Sequence, residues 1–188
     1  MSRRIGLAAA LCSTLLVFAA PAYAGGGNYA FAGGTASQRD QVRRALDASS
    51  FPWSIVPGTV TIHLIRGHDS QATPGNVWVD ANLLDGTTFG WGVVQHEYAH
   101  QVDFLLFDDA TRTRLAAALG STTWYQAGLH GDAGVERFAS TLAWSYWPSP
   151  NNSMEPTSAN DESAALPPTA FRSLLASVLS PRSLASTG

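Results

Sequence analysis

The chain has 188 residues with 11 basic and 14 acidic side chains, which gives a formal net charge of −3 at neutral pH. Without a basic stripe or a basic amphipathic segment, the sequence argues against a nucleic-acid-binding protein and against a protein that binds membrane surfaces. The single cysteine, Cys12, belongs to the N-terminal segment. The rest of the chain must therefore be held without disulfides, by its core, by bound metal or by both.

The first residues have the three parts of a secretory signal peptide. Arg3 and Arg4 supply the positive start, an apolar run extends to Ala20, and an A-x-A cleavage pattern ends at Ala24. We expect residues 1–24 to be removed on export, which places the mature protein outside the cell. No later segment approaches the length needed to span a membrane, so no membrane contact is expected after cleavage.

The remainder divides into three parts. Residues 25–36 are rich in glycine and are interpreted as a flexible leader. Residues 37–180 are long enough for a single domain with its own core, and residues 181–188 read as a disordered polar tail.

The first half of the domain predicts one helix and two strands. Ser37, with an acid three residues later, is typical of a helix start, and the apolar spacing that follows predicts a helix over 38–49. Residues 59–66 alternate in polarity and are rich in β-branched side chains, which predicts a strand. Residues 76–80 predict a second strand, preceded by a Pro-Gly turn.

A helix predicted over about 89–106 carries the pattern H-E-x-x-H at His96, Glu97 and His100. Residues four apart lie one turn above each other on a helix, so both imidazoles point the same way. They can supply two ligands of a tetrahedral zinc site. Glu97 lies about 100° around the helix from His96, which suits it to reach a metal-bound water rather than the ion itself.

Three more helices are predicted, over 110–119, 135–147 and 169–179. Residues 148–168 are rich in Pro, Ser and Asn and are expected to form a long loop. Together with the strands, this pattern predicts an α+β fold. In it a small twisted mixed sheet packs on the central H-E-x-x-H helix, and the C-terminal part is mainly helical.

A catalytic zinc usually has three protein ligands and one open position. A histidine six residues after His100 would extend the pattern, but Leu106 occupies that position. A glutamate on a later helix is the other solution, and Glu136 fits it. His130 and Asp132, in the loop just upstream, stay open as alternatives.

The residues H-E-Y-A-H-Q at 96–101, followed by E-x-F-A at 136–139, resemble a known family. The chain looks like the gluzincin branch of the zincin metallopeptidases, especially small bacterial ones with these two motifs. The resemblance covers roughly residues 59–147, and it implies a zincin-like fold. The first motif is highly specific, whereas the second is short.

The resemblance implies one Zn²⁺ ion bound by His96, His100 and Glu136, with Glu97 as the catalytic base. Such an ion lowers the pKa of its bound water toward neutrality. Glu97 would take the proton of that water and hand it to the leaving amine. The expected function is therefore that of a secreted zinc-dependent metallopeptidase that hydrolyses peptide bonds.

One position departs from the family. The best-known gluzincins have an Asp four residues after the ligand Glu, where it supports a ligand histidine, and this chain has Ser140. Either Ser140 makes a weaker hydrogen bond, or an acid such as Asp103 or Asp132 orients a histidine. A simple ion pair with Arg112 or Arg114 is the alternative role for Asp103.

The developing oxyanion needs a hydrogen-bond donor beside the metal. Tyr125, His130 and Tyr146 are the candidates by side-chain type. By the resemblance, the strand over 76–80 would form the sheet edge along which an extended peptide substrate lies. Trp78 would then line the cleft, or else belong to the core.

Two other functions stay open. One is a non-catalytic binding module with the zincin fold, stabilised by zinc. Glu97 argues against it, because a purely structural site has no use for that residue and normally has four protein ligands. The other is a zinc amide hydrolase that acts on cell-wall peptides. The sequence also leaves open whether residues 25–36 or 148–168 cover the cleft as a built-in inhibitor.

Overall fold

The computed structural model describes residues 26–125 and 130–180. The predicted signal segment and the predicted tail lie outside this part. The described chain is a mixed α+β structure, which confirms the predicted class. Its helices and strands are β1 (Tyr29–Gly33), α1 (Ala36–Ala48), β2 (Val60–Ile65), β3 (Gln71–Thr73), β4 (Asn76–Asp80), α2 (Phe89–Leu106), α3 (Asp109–Ala118), α4 (Gly134–Tyr146) and α5 (Pro168–Val178).

The four strands form one mixed sheet in the order β1-β2-β4-β3. Strands β1, β2 and β4 run parallel, and β3 pairs with β4 in the antiparallel direction. The alternation predicted for β2 is confirmed, because Val60, Ile62 and Leu64 are buried while Thr61 and His63 are half-buried. The buried side chains of the sheet join those of α1, α2, α4 and α5 in one hydrophobic core.

The prediction of a flexible leader over residues 25–36 is wrong, because this segment contains β1. Strand β1 pairs with β2 along its whole length. Its glycines serve a tight turn into α1: Gly33 and Gly34 have φ values of 77° and 69°, which favour glycine. A Cβ on Gly34 would also lie 2.8 Å from the Cβ of Leu64. A composition typical of disorder therefore marks the close approach of the end of β1 and the following turn to β2.

Helix α1 begins two residues earlier than the sequence indicated, at a capping box on Thr35 instead of Ser37. The Thr35 hydroxyl accepts from the Gln38 amide N–H at 3.2 Å, and the Gln38 side chain accepts from the Thr35 N–H at 2.9 Å. Gln38 is buried, and its side-chain amide donates to Asp85 at 2.8 Å. Tertiary contacts thus select one of two possible starts.

The other helices lie where they were predicted. Helix α2 has the predicted bounds, and α3, α4 and α5 begin and end within one residue of theirs. Helix α2 is central and contacts α1, α4, β3 and β4. Phe89 and Leu105 are exposed at its two ends. None of the described helices combines the length and apolarity needed to cross a membrane.

The sheet edge differs from the prediction, since β4 lies inside the sheet between β2 and β3. The sequence did not predict β3, which is only three residues long. It forms a hairpin with β4 across Pro74-Gly75, and this hairpin places β3 at the edge beside α2. Trp78 is half-buried and does not belong to the hydrophobic core; it stacks on His63 with ring centroids 4.8 Å apart.

The long loop after α4 crosses α2 at Gly92. The buried Asn152 side chain anchors the loop by donating to the carbonyl groups of Ala143 at 3.1 Å and Trp147 at 2.8 Å. A Cβ at Gly92 would overlap the Asn152 side chain and lie 2.9 Å from the Ser153 backbone nitrogen. Helix α2 thus has a glycine at the position where a larger side chain would overlap the loop.

We predict that Gly92→Ala destabilises the protein by about 1–3 kcal/mol, because the added methyl group displaces the anchored loop. At an ordinary helical site the same change would stabilise by roughly 0.5–1 kcal/mol. Urea unfolding measures the difference, and Ser173→Ala on the exposed face of α5 is the control. A more stable Gly92→Ala protein would contradict the close crossing.

Candidate metal centre

Helices α2 and α4 bring three potential ligand atoms together. The Nε2 atoms of His96 and His100 lie 3.2 Å apart. One carboxylate oxygen of Glu136, on the first turn of α4, lies 3.1 Å from Nε2 of His96 and 3.6 Å from Nε2 of His100. Both imidazoles are buried, and these three side chains form a group that could hold a metal ion.

The spacing of the three atoms fits a metal ion. Bonds of about 2.0–2.1 Å in tetrahedral geometry place the ligand atoms about 3.3 Å apart, close to the distances observed here. Two imidazole nitrogens and a carboxylate oxygen suit several transition-metal ions. The residues therefore fit the predicted metal, while their geometry leaves the choice among divalent ions open.

The charge of the cluster also favours a cation. Burial alone would raise the pKa of Glu136, but its hydrogen bonds to His100 and His96 outweigh burial and hold that pKa well below its usual range. Burial lowers the pKa of His100, but its hydrogen bond to Glu136 and the negative charges of Glu136, Glu97 and Asp103 together outweigh burial, so the net direction is upward. The carboxylate is thus ionised where the two imidazoles converge.

The Nδ1 atoms of the two histidines, on the side of each ring away from the cluster, have different surroundings. Nδ1 of His96 lies 3.0 Å from the Ser140 hydroxyl, and that hydroxyl donates to Glu162 at 2.7 Å. Nδ1 of His100 is buried and has no hydrogen-bond partner within the described ranges. Of the alternatives for orienting a histidine, the structure therefore has the serine contact, on His96.

Asp103 takes the other predicted role and pairs with an arginine. It is fully buried and accepts from Arg112 at 2.8 Å, from the Trp124 indole at 3.0 Å and from the Tyr125 hydroxyl at 2.8 Å. The partner is not Arg114, whose side chain donates to Ser177. Asp103 thus anchors the segment after α3 beside the cluster, with no direct hydrogen bond to His96 or His100.

The three candidate donors are placed differently. Tyr125 lines the same cavity as the cluster. Burial, and then its hydrogen bond to Asp103, raises the pKa of Tyr125 to about 12, so the phenol keeps its proton. Tyr146 was wrongly proposed: it packs edge-to-face on Phe51, 5.1 Å between centroids, because three helical turns carry it away from Glu136. The side chain of His130 lies outside the described part.

Asp132, an alternative third ligand, is not part of the group formed by His96, His100 and Glu136. It is exposed, and its carboxylate lies 3.9 Å from the Arg137 guanidinium. Arg137 also donates to the backbone carbonyl groups of Gly131 at 3.0 Å and Leu119 at 3.0 Å. These contacts turn the loop before α4 outward, so that Glu136 is the acid that reaches the cluster.

A cleft of about 350 Å³ opens above the cluster. Glu97 lines it together with the three potential ligands, and residues 70–72 from the edge of the sheet form one wall. Phe104, Tyr125 and Val135 complete the lining. The cleft therefore joins the potential metal site, a carboxylate outside the ligand set and a strand edge.

Comparison with protein-family models, with curated proteins and with solved structures finds no match to this chain. Two features of the site were also missed by sequence reasoning. The Pro74-Gly75 pair predicted a turn but is typical of type II turns and not of two-residue hairpins, so β3 was missed. Glu162 gave no local signal, because it lies in an irregular loop and meets Ser140 only through the fold.

We predict that the protein binds about one equivalent of Zn²⁺ or Co²⁺ and that bound metal raises its melting temperature. Glu136→Gln should weaken binding by more than about tenfold, since loss of even a supporting partner has that effect. A competing chelator dye measures the affinity. His63→Ala, on the outer face of the sheet, is the control and should bind normally. Equal affinities for Glu136→Gln and wild type would refute Glu136 as a ligand.

Proposed function

We propose that this protein is an exported zinc-dependent peptidase of the zincin type. The observation that carries the proposal is that Glu97 lines the same cleft as the cluster of His96, His100 and Glu136. A carboxylate beside a three-ligand metal site is the arrangement that hydrolytic zinc enzymes need. The proposal of export rests on the signal-like residues 1–24.

His96, His100 and Glu136 would hold the zinc ion, which supplies Lewis-acid activation of water and of the scissile carbonyl. Glu97 then accepts the proton of the attacking water and delivers it to the leaving amine. Tyr125 lines the cleft and is the candidate donor to the developing oxyanion. Its single hydroxyl proton is donated to Asp103 in this structure, so the phenol would have to exchange that hydrogen bond for one to the substrate.

An extended peptide would bind along β3 instead of β4. Strand β3 is the last strand of the sheet within the described residues, and residues 70–72 face the cleft. In a hairpin with a two-residue loop, the pair next to the turn exchanges the ladder hydrogen bonds. Here that pair is Thr73 and Asn76, so the main-chain groups of Ala72 are directed to the open edge. A substrate strand can pair there.

We predict that Glu97→Gln binds zinc as the wild type does and loses hydrolysis by about 10²–10⁴-fold, because the general base is gone while the ligands stay. Hydrolysis of an unstructured general protein substrate, with and without chelator, gives the activity, and metal analysis gives the zinc content. Wild-type activity in zinc-loaded Glu97→Gln would disprove this role. A zinc-loaded wild type that cleaves no peptide would instead favour the binding module.

We predict that Ala72→Pro raises KM about fivefold, because it removes one main-chain donor to the substrate, worth about 1 kcal/mol. Proline is tolerated on edge strands, so the fold should survive. Ala72→Ser keeps the N–H and is the matched control. Zinc affinity should be equal in both variants. If Ala72→Pro and Ala72→Ser have the same kcat/KM, the substrate does not pair at this position.

A further inference from the structure

A chain of hydrogen bonds extends behind the metal cluster into the long loop. Nδ1 of His96 lies 3.0 Å from the hydroxyl oxygen of Ser140, and this hydroxyl lies 2.7 Å from a carboxylate oxygen of Glu162. Ser140 is buried, as is His96. Glu162 comes from the only short helical turn of the loop between α4 and α5 in the described structure, residues Glu162–Ala164.

The direction of these bonds follows from the donor inventory. An ionised carboxylate only accepts, so the single hydroxyl proton of Ser140 is donated to Glu162. The Ser140 oxygen is then left as an acceptor toward His96, and Nδ1 of His96 must carry the ring proton. Nε2 of His96 therefore presents its lone pair toward the cluster, which is the form a metal ligand requires.

The backbone around Glu162 is built to hold it in this place. Its carbonyl accepts from the Thr141 hydroxyl at 3.2 Å, one residue after Ser140 on α4. A Cβ on Gly131 would lie 3.3 Å from the second carboxylate oxygen of Glu162, so the carboxyl group packs directly against that glycine. Helix α4 and the turn before it thus fix both the main chain and the side chain of Glu162.

We infer that Glu162 is a positioning residue for the metal site, acting on His96 through Ser140. The loop thereby supplies, from outside α4, the carboxylate that a direct acid at position 140 would otherwise provide. Through the Ser140 hydroxyl it fixes the tautomer and the orientation of the His96 ring. This inference rests on the proposal that the cluster binds a metal, and it does not depend on peptide hydrolysis.

The test is the zinc affinity of Glu162→Gln, measured on the full chain by competition with a chelator dye. We expect about tenfold weaker binding, the lower end of the range for partners behind a ligand histidine. Glu155→Gln is the matched control, because Glu155 lies in the same loop, is exposed and lines the same small cavity behind Ser140. It should bind zinc as tightly as the wild type. Equal affinities in Glu162→Gln and Glu155→Gln overturn the inference.

A mutant cycle separates this role from simple support of the loop. Ser140→Ala breaks the link while Glu162 stays, and it should weaken zinc binding by a similar factor. Combining it with Glu162→Gln should add little, because both changes remove one connection. A further drop in the double variant means that Glu162 acts by another route and overturns the inference.

A spectroscopic readout completes the test. In the zinc-loaded protein, the Nδ1 proton resonance of His96 should shift in Glu162→Gln and stay in place in Glu155→Gln. A loop that only stabilises the fold would change unfolding without moving this resonance, and an unshifted resonance overturns the inference. A wild-type chain that binds neither Zn²⁺ nor Co²⁺ overturns the proposed metal site as a whole, which is a different result from a zinc-binding chain insensitive to Glu162.

Discussion

The packing of α4 across α2 is the constraint on which the site depends. It brings the carboxylate of Glu136 to within 3.1 Å of His96, although the two residues lie on separate helices. The contact is enforced by the core, since Phe138, Ala139 and Leu142 on α4 are fully buried. Changing the angle or register of α4 would separate the carboxylate from the imidazoles while leaving both helices intact.

Holding these groups together in a buried place has an electrostatic cost. A partly buried carboxylate loses hydration, and two imidazole nitrogens 3.2 Å apart face each other with at most one proton between them. The depressed pKa of Glu136 shows that contacts with the histidines already offset this cost for the carboxylate. A divalent cation at the centre would satisfy all three groups at once.

The surroundings of the cluster divide into two sides with different tasks. The cleft side carries Glu97, the edge strand β3 and Tyr125, all accessible to a bound molecule. The rear side is closed by the loop after α4, which is anchored through Asn152 and Glu162. This loop, considered as a possible cover for the cleft, packs behind the ligands. The loop therefore supports the ligands from the side opposite to the proposed substrate.

The sequence by itself determined the helices and the local geometry of the motif. Helix α2 has the bounds that the sequence predicted, and the i, i+4 spacing placed His96 and His100 on one face. Family resemblance pointed to Glu136, which the fold then brought to the histidines. Such features depend on neighbours within one or two turns, and local neighbours can be read directly from the chain.

Only the tertiary structure decided which segments pair and which polar groups meet. The glycine-rich segment forms β1 because it pairs in parallel with β2. Strand β4 is internal because the three-residue strand β3 pairs with its other edge. Asp103 accepts a hydrogen bond from a residue that follows α3, and Glu162 accepts one from Ser140 across a long loop. These contacts join residues far apart in the chain, and their free energy comes from burying both partners together, which no local pattern records.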